Sequence, residues 1–188
     1  MCSFNCGFLR LTGNPIMKLF LALCTTACGL AAAILHAETE TVDPSRFEAT
    51  VLVSGLTQPM ELEVGPDGRI YYIELAGKLK AWNPRTQQIE ELGQLTITTE
   101  QENGLIGMAL DPKFAENHWI YLQYWPPNYP GQHISRFTIV EDKLDLASEK
   151  LLFKFQEQRK ECCHHAGSLE FGPDGCLFIS TGDNTHAH

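Results

Sequence analysis

Positive charge is scarce in this sequence. Its 188 residues hold 14 Lys and Arg against 23 Asp and Glu, a formal net charge of −9. Residues 1–37 contain two of the basic residues, Arg10 and Lys18, and no acidic ones, so the rest of the chain carries 12 basic against 23 acidic groups, a charge of −11. Such a surface repels phosphates, which makes nucleic acid and anionic membrane surfaces poor partners. Cysteine is equally thin. Four of the seven, Cys2, Cys6, Cys24 and Cys28, precede residue 38, and the remaining Cys162, Cys163 and Cys176 make no disulfide framework. There is no Cys-x-x-Cys-His haem attachment, no Gly-x-Gly-x-x-Gly dinucleotide loop and no nucleophile elbow.

Long apolar runs are missing too, except one. Leu19 to Leu35 follows Lys18 and gives way at Ala37 to the polar Glu38-Thr39-Glu40. A basic flank, an apolar stretch and small residues at its end have the form of an export signal. Residues 1–37 are therefore expected to be a signal peptide cleaved after Ala37, with Met17 the better translation start, and residues 38–46 a linker. Thr25, Thr26 and Gly29 dilute the run and argue against a retained anchor, while Thr25-Thr26-Ala27-Cys28 is only a weak match to a lipoprotein box. The mature chain is expected to be periplasmic or secreted, without stable membrane insertion. In that oxidising setting Cys162 and Cys163 either close a vicinal ring, which requires a turn there, or stay reduced with one buried and one exposed.

What the mature part has in quantity is short strands closed by Gly, Pro or Asn. Phe47–Val53 is a strand candidate closed by Ser54-Gly55. Met60–Val64, the turn Gly65-Pro66-Asp67-Gly68, Arg69–Glu74, the turn Ala76-Gly77, Lys78–Trp82, Asn83-Pro84 and Gln88–Leu92 then place four strands in about 35 residues, the pattern of one β-propeller blade. A second copy runs through Ile106–Leu110, the turn Asp111-Pro112-Lys113-Phe114, Trp119–Tyr124, Ile134–Ile139 and Leu151–Phe155. A third begins at Leu169–Phe171, Gly172-Pro173-Asp174-Gly175 and Leu177–Thr181. The turns start 46 and 61 residues apart. Propeller repeats run about 40–50 residues, and the longer interval leaves room for the loop Trp125–Pro130, stiffened by Pro126, Pro127 and Pro130.

A β-sandwich explains the alternation but not the in-phase recurrence of Val64 to Tyr71 as Phe171 to Phe178. The expected fold class is therefore all-β, an incomplete β-propeller over residues 47–188 with about two and a half blades. A propeller closes with about four to eight blades, so the chain is expected to be the N-terminal part of a longer protein.

Chemistry concentrates between Cys162 and Asn184. A histidine pair beside small residues at the mouth of a strand lets the backbone approach a bound molecule while an imidazole projects into the site. The pattern His164-x-x-Gly167-x-Leu169-x-Phe171-Gly-Pro-Asp-Gly-x-Leu177, closing with Gly182-Asp183, resembles the glucose/sorbosone dehydrogenase family of quinoprotein sugar dehydrogenases. With Cys162-Cys163 in front it is most similar to that family's secreted bacterial branch. Glu102-Asn103-Gly104-Leu105-Ile106-Gly107 resembles the family's Gly-Leu-Leu-Gly segment before the second blade.

The resemblance implies a six-bladed propeller that oxidises the anomeric hydroxyl of an aldose or related sugar. Hydride passes to pyrroloquinoline quinone (PQQ), calcium is a second cofactor, and a cytochrome is a candidate electron acceptor. It implies that His164 is the general base. Glu102 stands where the soluble glucose dehydrogenases place a glutamine near the sugar, and Cys163 occupies the place of a carboxylate that supports catalysis. With His188, on a substrate-side loop, these make the candidate substrate contacts. His165 is expected to face the opposite way and to be structural. The quinone and calcium contacts are expected in later blades, so no cofactor-binding residue is assigned and this stretch alone is expected to be inactive. No metal site is assigned either: Asp183, Asn184, His186 and His188 are ligand types, but His-x-His here lacks a fixed third partner. Two other readings remain open, a non-catalytic secreted propeller that binds carbohydrate or protein, and a calcium-dependent propeller lactonase that relies on carboxylates.

Overall fold

The structure, a computed structural model, describes residues 48–158 and 163–183. The expected signal segment 1–37 and linker 38–46 lie outside the described residues, as do Phe47, Cys162, Asn184, His186 and His188. Four strands, β1 (Pro59–Val64), β2 (Ile70–Glu74), β3 (Lys78–Asn83) and β4 (Gln88–Gln94), pair antiparallel in chain order. A second sheet repeats the order with β5 (Leu105–Leu110), β6 (Trp119–Tyr124), β7 (Gly131–Val140) and β8 (Lys143–Gln156), and β9 (Gly167–Phe171) with β10 (Leu177–Thr181) forms a third hairpin. These are two propeller blades and the first hairpin of the next.

The repeat is visible bond by bond. In the first turn Gly65 N–H donates to Arg69 O and Gly68 N–H to Gly65 O, both at 2.9 Å; in the third, Gly172 N–H donates to Cys176 O and Gly175 N–H to Gly172 O at the same 2.9 Å. Gly68 and Gly175 take φ of +81° and +77°, the left-handed region in which a Cβ is strained. In each turn the Asp carboxylate accepts the N–H two residues on, at 3.0 Å. The second blade keeps this frame with Asp111 in place of the first glycine: Asp111 N–H donates to Trp119 O at 3.0 Å, and its carboxylate accepts the Lys113 N–H at 2.8 Å. The expected turn at Asp111-Pro112-Lys113-Phe114 forms and runs on into a one-turn helix, α1 (Phe114–Asn117), before β6. Burial works against the Asp111 carboxylate, but hydrogen bonds from Asn117, Lys113 and Tyr121 hold it below the usual carboxylate range.

The blades pack face to face. Tyr71, Ile73, Leu79 and Leu92 of the first meet Met108, Phe114, Ile120, Leu122 and Phe137 of the second, all buried. Between the second blade and the third hairpin, Ala109, Tyr121 and Ile134 close on Leu169 and Phe171, with the Tyr121 and Phe171 rings edge-on at 5.0 Å. Each such side chain contributes about 1.5–3 kcal/mol on full burial, so contacts between blades hold the inner strands β1, β5 and β9 side by side.

β1 turns its acids, not its aliphatic side chains, toward the second blade. Met60, Leu62 and Val64 are exposed, whereas Glu61 and Glu63 are half-buried toward the second blade. Glu61 accepts the Met108 N–H of β5 and the Ser168 hydroxyl of β9, joining three inner strands through one carboxylate.

Three further differences from expectation have physical reasons. Over its described residues 48–53 the strand candidate Phe47–Val53 forms no ladder, because an extended segment becomes a strand only where a neighbouring backbone pairs with it, and no described backbone pairs with 48–53. The fourth strand of the second blade spans Lys143–Gln156 rather than Leu151–Phe155, since β7 is long enough to pair with it from Val140 back to Gly131. Trp125 opens the proline-stiffened loop, yet it is fully buried. Among the described residues no helix is long and apolar enough to cross a membrane.

Candidate active site

Antiparallel strands alternate in direction, so the links β2–β3, β4–β5, β6–β7 and β8–β9 gather at one end of the blades. They are bonded to one another there. Leu105 N–H donates to Leu75 O at 3.0 Å, Trp125 N–H to Gly104 O at 3.1 Å, Thr98 N–H to Trp125 O at 2.9 Å and Glu157 N–H to Pro130 O at 3.1 Å. Gly104 has to be glycine in this weave, because a Cβ would stand 2.6 Å from Leu75 O.

The third hairpin delivers its two ends to the same place. Gly167 pairs with Thr181, so the chain just before β9 meets the chain just after β10. His164 Nδ1 lies 2.8 Å from Asp183 Oδ1, with side chains 59% and 72% exposed. An ionised carboxylate only accepts, so in this bond Nδ1 is the donor, and in the neutral ring the lone pair then sits on Nε2. Gly182 makes the approach feasible: a Cβ there would be 1.5 Å from His164 O. His165 points the other way, as expected, but not for the expected reason. The pair precedes β9 rather than lying on it, and the reversal comes from left-handed backbone at Cys163 (φ +91°) and His164 (φ +65°). The His165 ring is buried, edge-on to Trp125 at 4.9 Å and with Nδ1 3.5 Å from the buried Glu157 carboxylate.

The other candidates fall out as follows. Glu102 is exposed and accepts the His165 N–H at 3.3 Å, so it sits against the backbone of the histidine pair. Cys163 is half-buried and disulfide-bonded. The other described cysteine, Cys176, forms no disulfide, so a reduced Cys163 is set aside and its disulfide partner is not among the described residues. His188 lies outside them as well. Sequence reasoning missed Asp183 as the partner of His164, although Gly182-Asp183 closed the hairpin. It also missed Gln123, Gln132 and Glu157, whose signal was weak: an amide inside the otherwise apolar β6, another near the start of β7, and an acid just after β8.

The quinone and calcium that the resemblance implies can be tested against these loops. Residues 75–77, 95–104, 125–130, 157–158, 163–166 and 182–183 include no Lys or Arg but do include Glu100, Glu102, Glu157 and Asp183. On adjoining strands Lys78 pairs with Glu91 at 2.9 Å, Lys80 with Glu74 at 2.8 Å, and Lys154 stacks over Tyr129 at 5.0 Å. A quinone bearing several carboxylates needs cationic partners. The described loops do not supply them and do not by themselves form a quinone site.

Fold and site together define a class: antiparallel propeller blades carrying an exposed histidine–carboxylate pair at the head of an inner strand. The chain belongs to the glucose/sorbosone dehydrogenase family, whose model matches residues 56–188. It is 27% identical over 147 residues to quinoprotein glucose dehydrogenase B of Acinetobacter calcoaceticus, which covers 73% of this chain and 31% of that protein. It is 30% identical over 153 residues to the human (Homo sapiens) Hedgehog-interacting protein, covering 70% of this chain and 21% of that one. The PQQ-bound aldose sugar dehydrogenase of Streptomyces coelicolor superposes with a TM-score of 0.65 at 23% identity, over 73% of this chain and 41% of that one, and shares the fold. The chain thus spans about a third or less of the length of the two sequence relatives.

Proposed function

We propose that this chain supplies the first blades of an exported quinoprotein sugar dehydrogenase, in which His164 takes the proton from the anomeric hydroxyl of an aldose or related sugar. The observation that supports it is the 2.8 Å bond between His164 Nδ1 and Asp183 on the exposed rim. With Nδ1 protonated and held, Nε2 is the basic atom, and Asp183 steadies the imidazolium formed when the hydroxyl proton arrives. PQQ, when bound, supplies the hydride acceptor, so the anomeric carbon loses a hydride as its hydroxyl loses a proton. Anchoring of PQQ and calcium is assigned to parts of the protein other than the described loops. Glu102, exposed beside the pair, offers acceptor oxygens to ring hydroxyls, and Cys163 stands on the same rim; His188, outside the described residues, is kept as a substrate contact on the resemblance alone.

The test is single-turnover reduction of PQQ by an aldose in the full-length, PQQ- and calcium-loaded protein. His164→Ala should slow it by about 10²- to 10⁴-fold, the contribution of a positioned general base. An unaffected rate refutes the assignment of His164. A second reading, a non-catalytic binding propeller, is favoured by the 30% identity to the human Hedgehog-interacting protein. It requires that the unaltered protein itself fail to reduce bound quinone, so the same assay decides between the two.

A further inference from the structure

Beneath the rim lies a buried chain of polar side chains that the proposed reaction does not use. Gln123 on β6 and Gln132 on β7 are both fully buried, and Glu157 and His165 are only 6% exposed. Gln123 Nε2 donates to Gln132 Oε1 at 2.5 Å and to Ser180 O at 3.2 Å. Gln132 Nε2 in turn donates to Glu157 Oε1 at 3.0 Å and to Ala166 O at 3.4 Å. Each amide therefore gives one N–H to the chain and one to a backbone carbonyl of the third hairpin.

The two carbonyls are placed significantly. Ser180 lies three residues before Asp183, and Ala166 two residues after His164. Both arms of the histidine–carboxylate pair are thus tied to the second blade, whose core side chains are buried. The neighbouring backbone leaves room for this. A Cβ at Gly167 would stand 2.8 Å from the Gln123 amide, and one at Gly107 3.0 Å from its Cβ. Burying amides costs free energy unless their hydrogen bonds are made. Leucine at 123 and 132 would have filled the same space without that requirement.

We propose that Gln123 and Gln132 are positioning residues: acting through the Ser180 and Ala166 carbonyls, they hold His164 and Asp183 at bonding distance. This rests on the reading of His164 as base, but the geometric claim stands apart from it. The β9–β10 ladder brings the two ends together, but an exposed ion pair fixes its own geometry only weakly, so the buried amides add restraint on both arms. A shift of about 1 Å in a reacting group costs up to about a hundredfold in rate.

The experiment replaces each glutamine by methionine, which matches it in length and shape but has no donor. The first readout needs no cofactor: the ¹⁵N spectrum of the histidine rings in the full chain, with the His164 signals assigned by their loss in His164→Ala. Gln123→Met and Gln132→Met should each move the His164 Nδ1 signal from that of a protonated, hydrogen-bonded nitrogen toward that of a free ring exchanging between tautomers. The second readout is steady-state turnover of the full-length loaded protein, where kcat should fall about 10- to 100-fold with KM within about twofold. Two folded methionine variants with an unchanged His164 spectrum overturn the proposal. If one fails to fold, Gln132→Asn, which keeps the amide but shortens its reach, is judged by the same spectrum. A shifted spectrum in a protein whose His164→Ala variant reduces quinone normally leaves the positioning role standing and removes the dehydrogenase reading.

Discussion

Replacing Gly182 by alanine puts the geometry of the rim to its sharpest test. The added Cβ would stand 1.5 Å from His164 O, 2.5 Å from its carbonyl carbon and 3.0 Å from Ala166 N. All three are backbone atoms, so no rotamer change relieves the clash. Non-bonded carbon and oxygen do not approach closer than about 3 Å, so the end of β10 and the histidine loop must part by roughly 1.5 Å. That displacement falls on the 2.8 Å bond between His164 and Asp183 and stretches it beyond hydrogen-bonding distance. The inward faces of β9 and β10 are untouched, so the substitution should cost the fold less than it costs the rim. We expect Gly182→Ala to reduce turnover of the full-length loaded protein about a hundredfold, on the scale of a 1 Å misplacement, and to uncouple the His164 ring nitrogen in the ¹⁵N spectrum. A variant with unchanged spectrum and unchanged turnover would refute the placement of Gly182 against the histidine backbone.

Other expectations follow from single residues. Glu63 is pushed up to about 7, by burial first and then by Glu170 and Glu61. With its folded value above the unfolded one, stability is full at low pH and falls as pH rises from about 4.5 toward 7. Glu63→Gln should therefore raise the melting temperature at pH 8 by roughly 2–4 °C, the effect of about 1 kcal/mol after allowance for solvent screening, and leave it unchanged at pH 4. Equal shifts at both pH values would contradict this. Leu169, 1% exposed between the second blade and β9, should cost about 2–5 kcal/mol as Leu169→Ala. Hydrogen exchange should then quicken across 163–183 while β2, β3 and β6 stay protected, and uniform acceleration would show that the hairpin is not a separable unit. We also propose that export removes residues 1–37, which N-terminal sequencing of exported protein checks; a mature terminus upstream of Leu19 sinks it.

The repeat was legible in the sequence because its information is local. Gly65-Pro66-Asp67-Gly68 and Gly172-Pro173-Asp174-Gly175 encode their own left-handed glycines and Asp-capped N–H groups within four to five residues, and the flanking alternation announces strands on either side. His164 stood out as a candidate too, through a motif of residues close together along the chain. Other features were not readable, since each depends on atoms far apart along the chain. Met60, Leu62 and Val64 alternate with Glu61 and Glu63, which marks two faces but not which one is covered; only the neighbouring second blade turned the acids inward. The opposite orientations of His164 and His165 were foreseen from strand alternation, yet they arise from left-handed turns that a run of Cys and His does not advertise.

Sequence alone determined the class of fold, the blade period and the histidine worth testing, because turn chemistry and alternation act between near neighbours. Tertiary structure alone decided what stands beside that histidine. Asp183 reaches it across 19 residues through the β9–β10 register, and Gln123 reaches Ser180 across 57 residues through the stacking of one blade on the next. A hydrogen bond acts over about 3 Å whatever the distance along the chain, and only the packed blades bring those atoms that close.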